Sequence, residues 1–495
     1  MLAALGTGVG LTVIVQLLMP PALIHAYGVK RYGEWLVLAG TVSYLSSLNF
    51  GITTYASNQL TMLCKRGDLV EYKKLQATTL AMLLCVMAFG AAVVSIAVFL
   101  PLTRIFHLTL VPPREASWMA FLLGMYAMLN VFAGYYNNLF IVVQRSHTGR
   151  VWSMVLSLAS SLSVVTLAAF RLPFSLVAAG QLAAGVVVTV LTVADLKRRM
   201  GSLPLGIAGA DWATAKTALV PSGMFAMILT QQFLLFQAPV IMLNWILGPE
   251  TVVLFSICRT VLSTARQLLQ TITTAIAPEI TFSFAERNMK KLLDIFHYSE
   301  KVVFAVIPVA NLGALLASPL LLTLWLHKPN LFNPYVYGMM ALISGAMSMR
   351  DHKQFFQFAT NTHKRLALIV FFGNILMIAV SIPFTMEFGL YGFMGVWLLS
   401  ELSQMGLIYH ENKKLFHHDP SINFFPVIKL MLVMFLSLPL CIGLVTVTQH
   451  RSLMASGLTA AGGTMLLAIE SYFVFGLKSV WRQFRMRARG AVAQA

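Results

Sequence analysis

Charge is the scarcest property of this sequence. Only 11% of its 495 residues are Asp, Glu, Lys or Arg, against about 25% in a soluble domain, which excludes a soluble globular fold. Acids are the rarer half, 17 against 35 basic residues. A carboxylate-lined cavity of the kind that takes cationic drugs is therefore not expected. Cysteine is nearly absent too. Cys64, Cys85, Cys258 and Cys441 form no CxxC pair and have no histidine cluster beside them, so no metal, redox centre or other cofactor is expected. The first apolar run, 2–24, lacks a basic leading segment and a small-residue cleavage site, and reads as a span rather than a signal peptide. Long hydrophilic stretches are missing as well. The longest non-spanning pieces are about 195–218 and 283–300, which leaves no external loop large enough to carry an enzyme's site.

What remains is apolar. Hydrophobic residues make up 58% of the chain, and runs of about 18 or more residues, long enough to cross the hydrocarbon core, recur from end to end. The fold class is an all-α polytopic membrane protein. Fourteen spans are expected: 2–24, 35–60, 76–100, 117–144, 150–170, 174–194, 219–247, 251–282, 301–324, 333–361, 365–385, 389–410, 424–447 and 456–477. With the N-terminus inside, 24 Lys and Arg fall on inner loops. Seven fall on outer ones: Lys30, Arg31, Arg104, Arg114, Arg171, Lys328 and Arg451. This bias predicts cytoplasmic termini. It also accounts for the formal charge of +18 through the bilayer, without a nucleic-acid partner.

A weak internal repeat is present. Tyr27-Gly28-Val29-Lys30-Arg31-Tyr32-Gly33-Glu34-Trp35 and Leu247-Gly248-Pro249-Glu250-Thr251-Val252-Val253-Leu254-Phe255 both run from a glycine turn through a polar pair to an apolar, aromatic start of a span. Two six-helix lobes are expected, 1–195 and 219–411, with 196–218 as a cytoplasmic linker and interfacial helix. Residues 412–495 hold spans thirteen and fourteen and a basic tail. Lobes that both start inside would be related by an axis along the membrane normal.

Two spans carry polar stripes. In 251–282, Ser256, Arg259, Ser263, Arg266, Gln267, Gln270 and Thr274 share roughly 100° of arc at about 100° per residue. In 333–361, Arg350, Gln354, Gln357 and Asn361 recur on one side, with Lys353 beside them. Arg350 lies about 16 Å from the inner end at 1.5 Å per residue. A mid-membrane Arg costs roughly 2.5–3.5 kcal/mol on insertion scales and faces the bundle interior or a wet cavity. Asp351 points off the stripe and could offset one cation, so a structural Arg–Asp network is the alternative to a cavity lining. The first lobe is neutral and polar. It has Ser43, Ser47, Gly51, Thr54 and Asn58 in span two, Asn130, Gly134, Asn137 and Asn138 with Tyr135 and Tyr136 in span four, and Gln231, Gln232 and Gln237 in span seven. Such residues also serve as helix–helix glue. Glu401 and Glu470 lie inside spans, and Glu401 is a candidate ion-coupling carboxylate. His352 and His363 are expected to be interfacial or paired.

Tyr32-Gly33-Glu34-Trp35, Tyr44, Leu48-Asn49-Phe50-Gly51-Ile52 and Asn58, with Leu247-Gly248-Pro249-Glu250, Phe255, Arg259 and Pro278-Glu279, resemble the Wzx-type polysaccharide flippases. These belong to the superfamily that includes MATE drug exporters and the lipid II flippase. The resemblance implies two six-helix lobes around a central cavity, alternating access, and an undecaprenyl-diphosphate-linked oligosaccharide as cargo in the bacterial inner membrane. O-antigen or exopolysaccharide synthesis would be the setting, and polysaccharide polymerase and assembly proteins are candidate partners. Arg259, Arg266, Arg350 and Lys353 would hold the diphosphate, whose oxygens match the forked donors of Arg. Gln267, Gln270, Gln354, Gln357, Asn130, Asn137 and Asn58 would line the cavity, and the prenyl tail would follow spans thirteen and fourteen. No catalytic residues are needed, since no bond is broken. A MATE-type drug or ion antiporter and a membrane-embedded saccharide polymerase or ligase are the alternatives. Against the first, span one lacks an acidic residue expected of many MATE exporters.

Overall fold

A computed structural model describes residues 18–477 apart from 44, 46–51, 144, 202, 277–278, 281–282, 285, 361, 363 and 450–451. Ser47, Gly51, Asn361 and His363, and the side chains of Thr54, Asn58, Gln232 and Thr274, lie outside the described residues, as does most of span 2–24. The chain divides into two compact units, Met1–Val253 and Leu254–Ala495. After a helical stretch at 18–27, the first unit holds α1 (Val29–Ser43), α2 (Ile52–Arg66), α3 (Leu69–Ala97), α4 (Pro113–Leu139), α5 (Ser146–Ala169), α6 (Phe174–Met200), α7 (Trp212–Phe236) and α8 (Ala238–Leu247). The unit boundary falls inside α9 (Pro249–Ala275). The second unit continues with α10 (Met289–Leu326), α11 (Pro334–Ala359), α12 (Lys364–Leu415), α13 (Phe425–Thr448) and α14 (Leu453–Val474). Among the described residues there is no strand, and nine helices are long and apolar enough to cross a membrane. The chain is a multi-pass helical membrane protein.

The elements depart from the expected spans where backbone chemistry intervenes. In expected span 35–60 the described helices end at Ser43 and start again at Ile52, and residues 44 and 46–51 between them lie outside the described residues. Expected span 219–247 breaks at Gln237, ahead of Ala238-Pro239, where the proline ring removes a donor and crowds the preceding turn. Expected span 301–324 is part of a 38-residue helix that begins at Met289, where Asn288 accepts the Lys291 N–H at 3.0 Å. Spans 365–385 and 389–410 form one run, Lys364–Leu415, folded at Gly389 with φ 60° and ψ −144°. Only glycine occupies that region at little cost. The two arms lie side by side, since the Gln404 amide donates to Asn374 Oδ1 at 3.1 Å.

Linker residues 206 and 211 are stitched to the first half of α3. Gly206 N–H donates to Gln76 Oε1 (3.1 Å), and Asp211 N–H to the Thr78 hydroxyl (2.9 Å). Asp211 caps α7 by accepting the Thr214 N–H at 2.9 Å, with Lys74 at 3.3 Å. The Thr214 N–H and hydroxyl, and then Lys74, hold its carboxyl down at about 2.

The Tyr32-Gly33-Glu34-Trp35 stretch has a packing role. A Cβ on Gly33 would stand 2.3 Å from the Pro249 carbonyl oxygen, so the two stretches of the weak repeat touch, and they touch where no side chain fits. Glu34 is wholly buried. Its Oε1 accepts the N–H groups of Thr109 (2.7 Å) and Leu110 (2.9 Å), and its Oε2 that of Val111 (2.8 Å). One carboxylate thus satisfies three consecutive loop donors that would otherwise lose their water partners on burial. Glu34→Ala is expected to lower stability by roughly 3 kcal/mol or more, because charged hydrogen bonds are worth about 1.5–3 kcal/mol each and are not fully additive. A melting curve in detergent checks this, with Glu34→Gln falling between the two.

Candidate functional site

Helix α9 presents its polar stripe toward α11 and α12. On this helix Phe255 packs against Phe393 and Trp397 of α12, at ring separations of 5.6 and 6.0 Å. Ser344 of α11 donates to the Leu262 carbonyl at 3.2 Å. These contacts fix the roll of α9, and one turn further on Arg266 reaches α11. Its Nε donates to Asp351 Oδ2 at 2.7 Å, and the Gln270 amide donates to the same oxygen at 2.8 Å. Arg350 Nη2 stands 3.9 Å from Asp351 Oδ1, and its Nη1 is 2.7 Å from Glu401 Oε2 of α12. Trp397 Nε1 holds the other Glu401 oxygen at 3.1 Å. Arg350 Nη1 also donates to Gln404 Oε1 at 3.4 Å. Arg350 is 3% exposed and Glu401 0%, so this is a largely buried, charge-paired cluster joining three helices. Neighbouring helix residues point about 100° apart. That is why Asp351 leaves the Arg350 stripe and meets α9.

The other expected residues are distributed elsewhere. Arg259 lies over the Phe255 ring, 5.2 Å from its centroid. Lys353 is fully buried and pairs with Glu300 of α10. Its ammonium sits over Phe296 at 4.0 Å and Phe304 at 5.3 Å. Gln357 donates to Asn412 Oδ1 at 2.8 Å, and Asn412 in turn donates to the Lys353 carbonyl at 3.0 Å. Gln354 is buried with no partner for its Nε2 among the described residues, and Gln267 is half-buried. His352 is buried, as a paired histidine: its Nε2 is 2.9 Å from the Ser299 hydroxyl, and Phe296 and Phe356 lie alongside. Glu470 receives the Ser437 hydroxyl at 3.1 Å, joining α13 to α14.

In the first unit, Asn130 donates to the Tyr126 carbonyl at 3.0 Å. It lines a cavity of about 380 Å³ with Ser43, Tyr126 and Gln181. Asn137 is buried outside that cavity, with its Oδ1 unpartnered among the described residues. Glu300, Gln404, Asn374, Asn412 and Gln181 escape sequence reading. Glu300 falls one residue before the expected start of span nine, and a longer helix there would have flagged it. Single buried amides give no periodic signal.

No protein-family model matches the chain, and no curated protein matches it in sequence. Solved structures match it in fold. The lipid II flippase MurJ, in an inward closed conformation, is similar with a TM-score of 0.65 at 11% identity, over 97% of this chain and 99% of its own. The MATE multidrug transporter DinF-BH, in complex with R6G, gives 0.57 at 14% identity, over 84% and 95%. A MOP superfamily transporter from Pyrococcus furiosus, described as having a binding pocket of reversed polarity, gives 0.57 at 12%, over 84% and 94%. The chain has the polytopic helical fold common to these transporters and flippases.

Proposed function

We propose that this protein is a flippase. It moves an undecaprenyl-diphosphate-linked oligosaccharide from the inner to the outer leaflet of the bacterial inner membrane by alternating access, as a step in polysaccharide synthesis. One observation carries the reading: two buried guanidinium groups, Arg266 and Arg350, converge on a single carboxylate, Asp351. A diphosphate offers more acceptor oxygens and more negative charge than that carboxylate, and arginine forks match its geometry. At rest Asp351 and Glu401 offset the cost of keeping these cations in the membrane; on loading, diphosphate takes the place of Asp351. Arg259, on the same helix, extends the stripe. Lys353 is left out of the diphosphate site, because Glu300 and two phenyl rings already engage it. The fold is that of the lipid II flippase as much as of the drug exporters. A cation-exporting reading would need Asp351 and Glu401 as its acids, and arginines engage both.

The test is flipping of a diphosphate-linked oligosaccharide lipid in proteoliposomes. Native protein is expected to flip it. Arg266→Ala is expected to lose at least about thirtyfold in rate, the low end of the roughly 2–5 kcal/mol lost when a buried charge partner is truncated. Arg259→Ala should lose less, and Arg259→Lys should recover part of that loss. Full activity in folded Ala variants would make the stripe structural. No activity with any diphosphate-linked lipid would remove the reading.

A further inference from the structure

The two arms of α12 border an open groove of about 940 Å³ with an almost wholly apolar lining. That is the upper end of the roughly 300–1,000 Å³ of ligand cavities. It opens sideways from the helices: Phe372, Leu376, Leu399 and Leu407 are 60, 63, 65 and 55% exposed. The lining runs from Leu368 to Phe388 along the first arm and from Tyr391 to Leu407 along the second. At 1.5 Å per residue the first arm alone rises ~30 Å, the full thickness of a hydrocarbon core. A phospholipid acyl chain fills one leaflet, about half of that depth. One long isoprenoid chain fills all of it.

Two further features point the same way. Gln404 lies in the wall of this groove and also receives Arg350 Nη1 at 3.4 Å, so groove and charge cluster share a residue. Gly373 makes this sharing feasible, because a Cβ there would stand 2.9 Å from the Gln404 side chain. Gly395 also lines the groove, and a Cβ on it would meet nothing within 4 Å. That gap gives room for methyl branches.

We propose that this groove holds the polyprenyl chain of the carried lipid while the diphosphate engages Arg266 and Arg350. The inference rests on the flippase reading, and it moves the chain's path from α13 and α14, where sequence alone would put it, to the α12 hairpin.

The full-length protein in nanodiscs is labelled with a polyprenyl monophosphate bearing a mid-chain diazirine, and separately with a diacyl phospholipid bearing a diazirine in one acyl chain. The polyprenyl probe is expected to cross-link peptides within 368–407, competed by unlabelled polyprenyl phosphate and not by phospholipid. Gly395→Trp fills the groove and is expected to cut that labelling about tenfold or more, with Gly395→Leu intermediate. Gly406→Trp, on the same arm, outside the lining and also with open space at its Cβ, is expected to leave it unchanged. Labelling elsewhere, labelling undiminished in both Gly395 variants, or equal labelling of the groove by the phospholipid probe overturns the assignment. Flipping is read in parallel. Native transport without groove labelling overturns the groove alone, and groove labelling without transport overturns the flippase reading alone.

Discussion

Arg350→Ala is expected to destabilise the protein by about 3–5 kcal/mol, the range seen when one partner of a buried ion pair is removed. The mechanism is specific. Glu401 is 0% exposed and its Oε2 faces Arg350 at 2.7 Å. Arg350 meets Glu401 as an ion pair and not as an aligned hydrogen bond, so without the guanidinium Glu401 keeps its Trp397 donor but loses its counter-charge, and Gln404 loses the partner of its carbonyl oxygen. The lost stabilisation is therefore mostly the cost of an uncompensated buried carboxylate. Replacing both members by uncharged residues of similar size, Arg350→Met with Glu401→Gln, should restore most of it, because a buried pair repays little more than its own desolvation. The melting temperature in detergent is the readout: a fall of several degrees for the single variant and recovery for the double. The double variant is then the informative one for transport. Folded but inactive, while the Glu401→Gln single variant still transports, it would show that Arg350 acts on the cargo. Folded and fully active, it would leave Arg350 as a helix fastener.

Lys353→Met is expected to cost about as much, roughly 3–5 kcal/mol, by leaving Glu300 buried without its cation. Lys353 is fully buried with its ammonium on Glu300 and above Phe296 and Phe304. The single variant therefore also loses cation–π contacts, each worth about 2 kcal/mol or more when desolvated. Lys353→Met with Glu300→Gln should recover much of the stability. Here the transport expectation is the reverse of that for Arg350. This pair fastens α10 to α11, and on the proposed reading it stands outside the diphosphate site, so the folded double variant should transport at close to the native rate. A melting curve and a flipping assay on the same preparations separate the two clusters.

The contrast between these pairs marks how far the sequence reads. The arginine stripe on α9 follows from periodicity, because it is a local consequence of helix geometry. Asp351 is legible as a nearby acid, but not as the acceptor for Arg266, because the roll of α9 against α11 is set by Phe255 and Ser344 through tertiary contacts. Glu300 is missed through a boundary. An apolar window starts span nine at 301, whereas the helix begins at Met289, where Asn288 caps it. Asn374, Gln404 and Asn412 are single amides in apolar runs, and only helix packing gives them partners. The hairpin at Gly389 is legible as the end of a span. The groove between its arms is not, since nothing in an apolar sequence separates a residue facing a neighbouring helix from one facing an opening. Glu34 belongs to a motif that reads as a resemblance, and its physical role, three loop N–H groups on one carboxylate, emerges only from the fold.

If Asp351 holds the place of the substrate's diphosphate between Arg266 and Arg350, removing its charge in Asp351→Asn should change the affinity for a polyprenyl diphosphate. Titration of the native protein and the variant in the same nanodiscs, with melting temperatures in parallel, separates binding from folding. Exchange of carboxylate for diphosphate predicts tighter binding, by about tenfold or ~1.4 kcal/mol, together with a lower melting temperature, because the competitor is gone and the resting arginines are no longer fully paired. Unchanged or weaker binding in a folded Asp351→Asn protein would contradict the exchange and leave the cluster as a structural clamp.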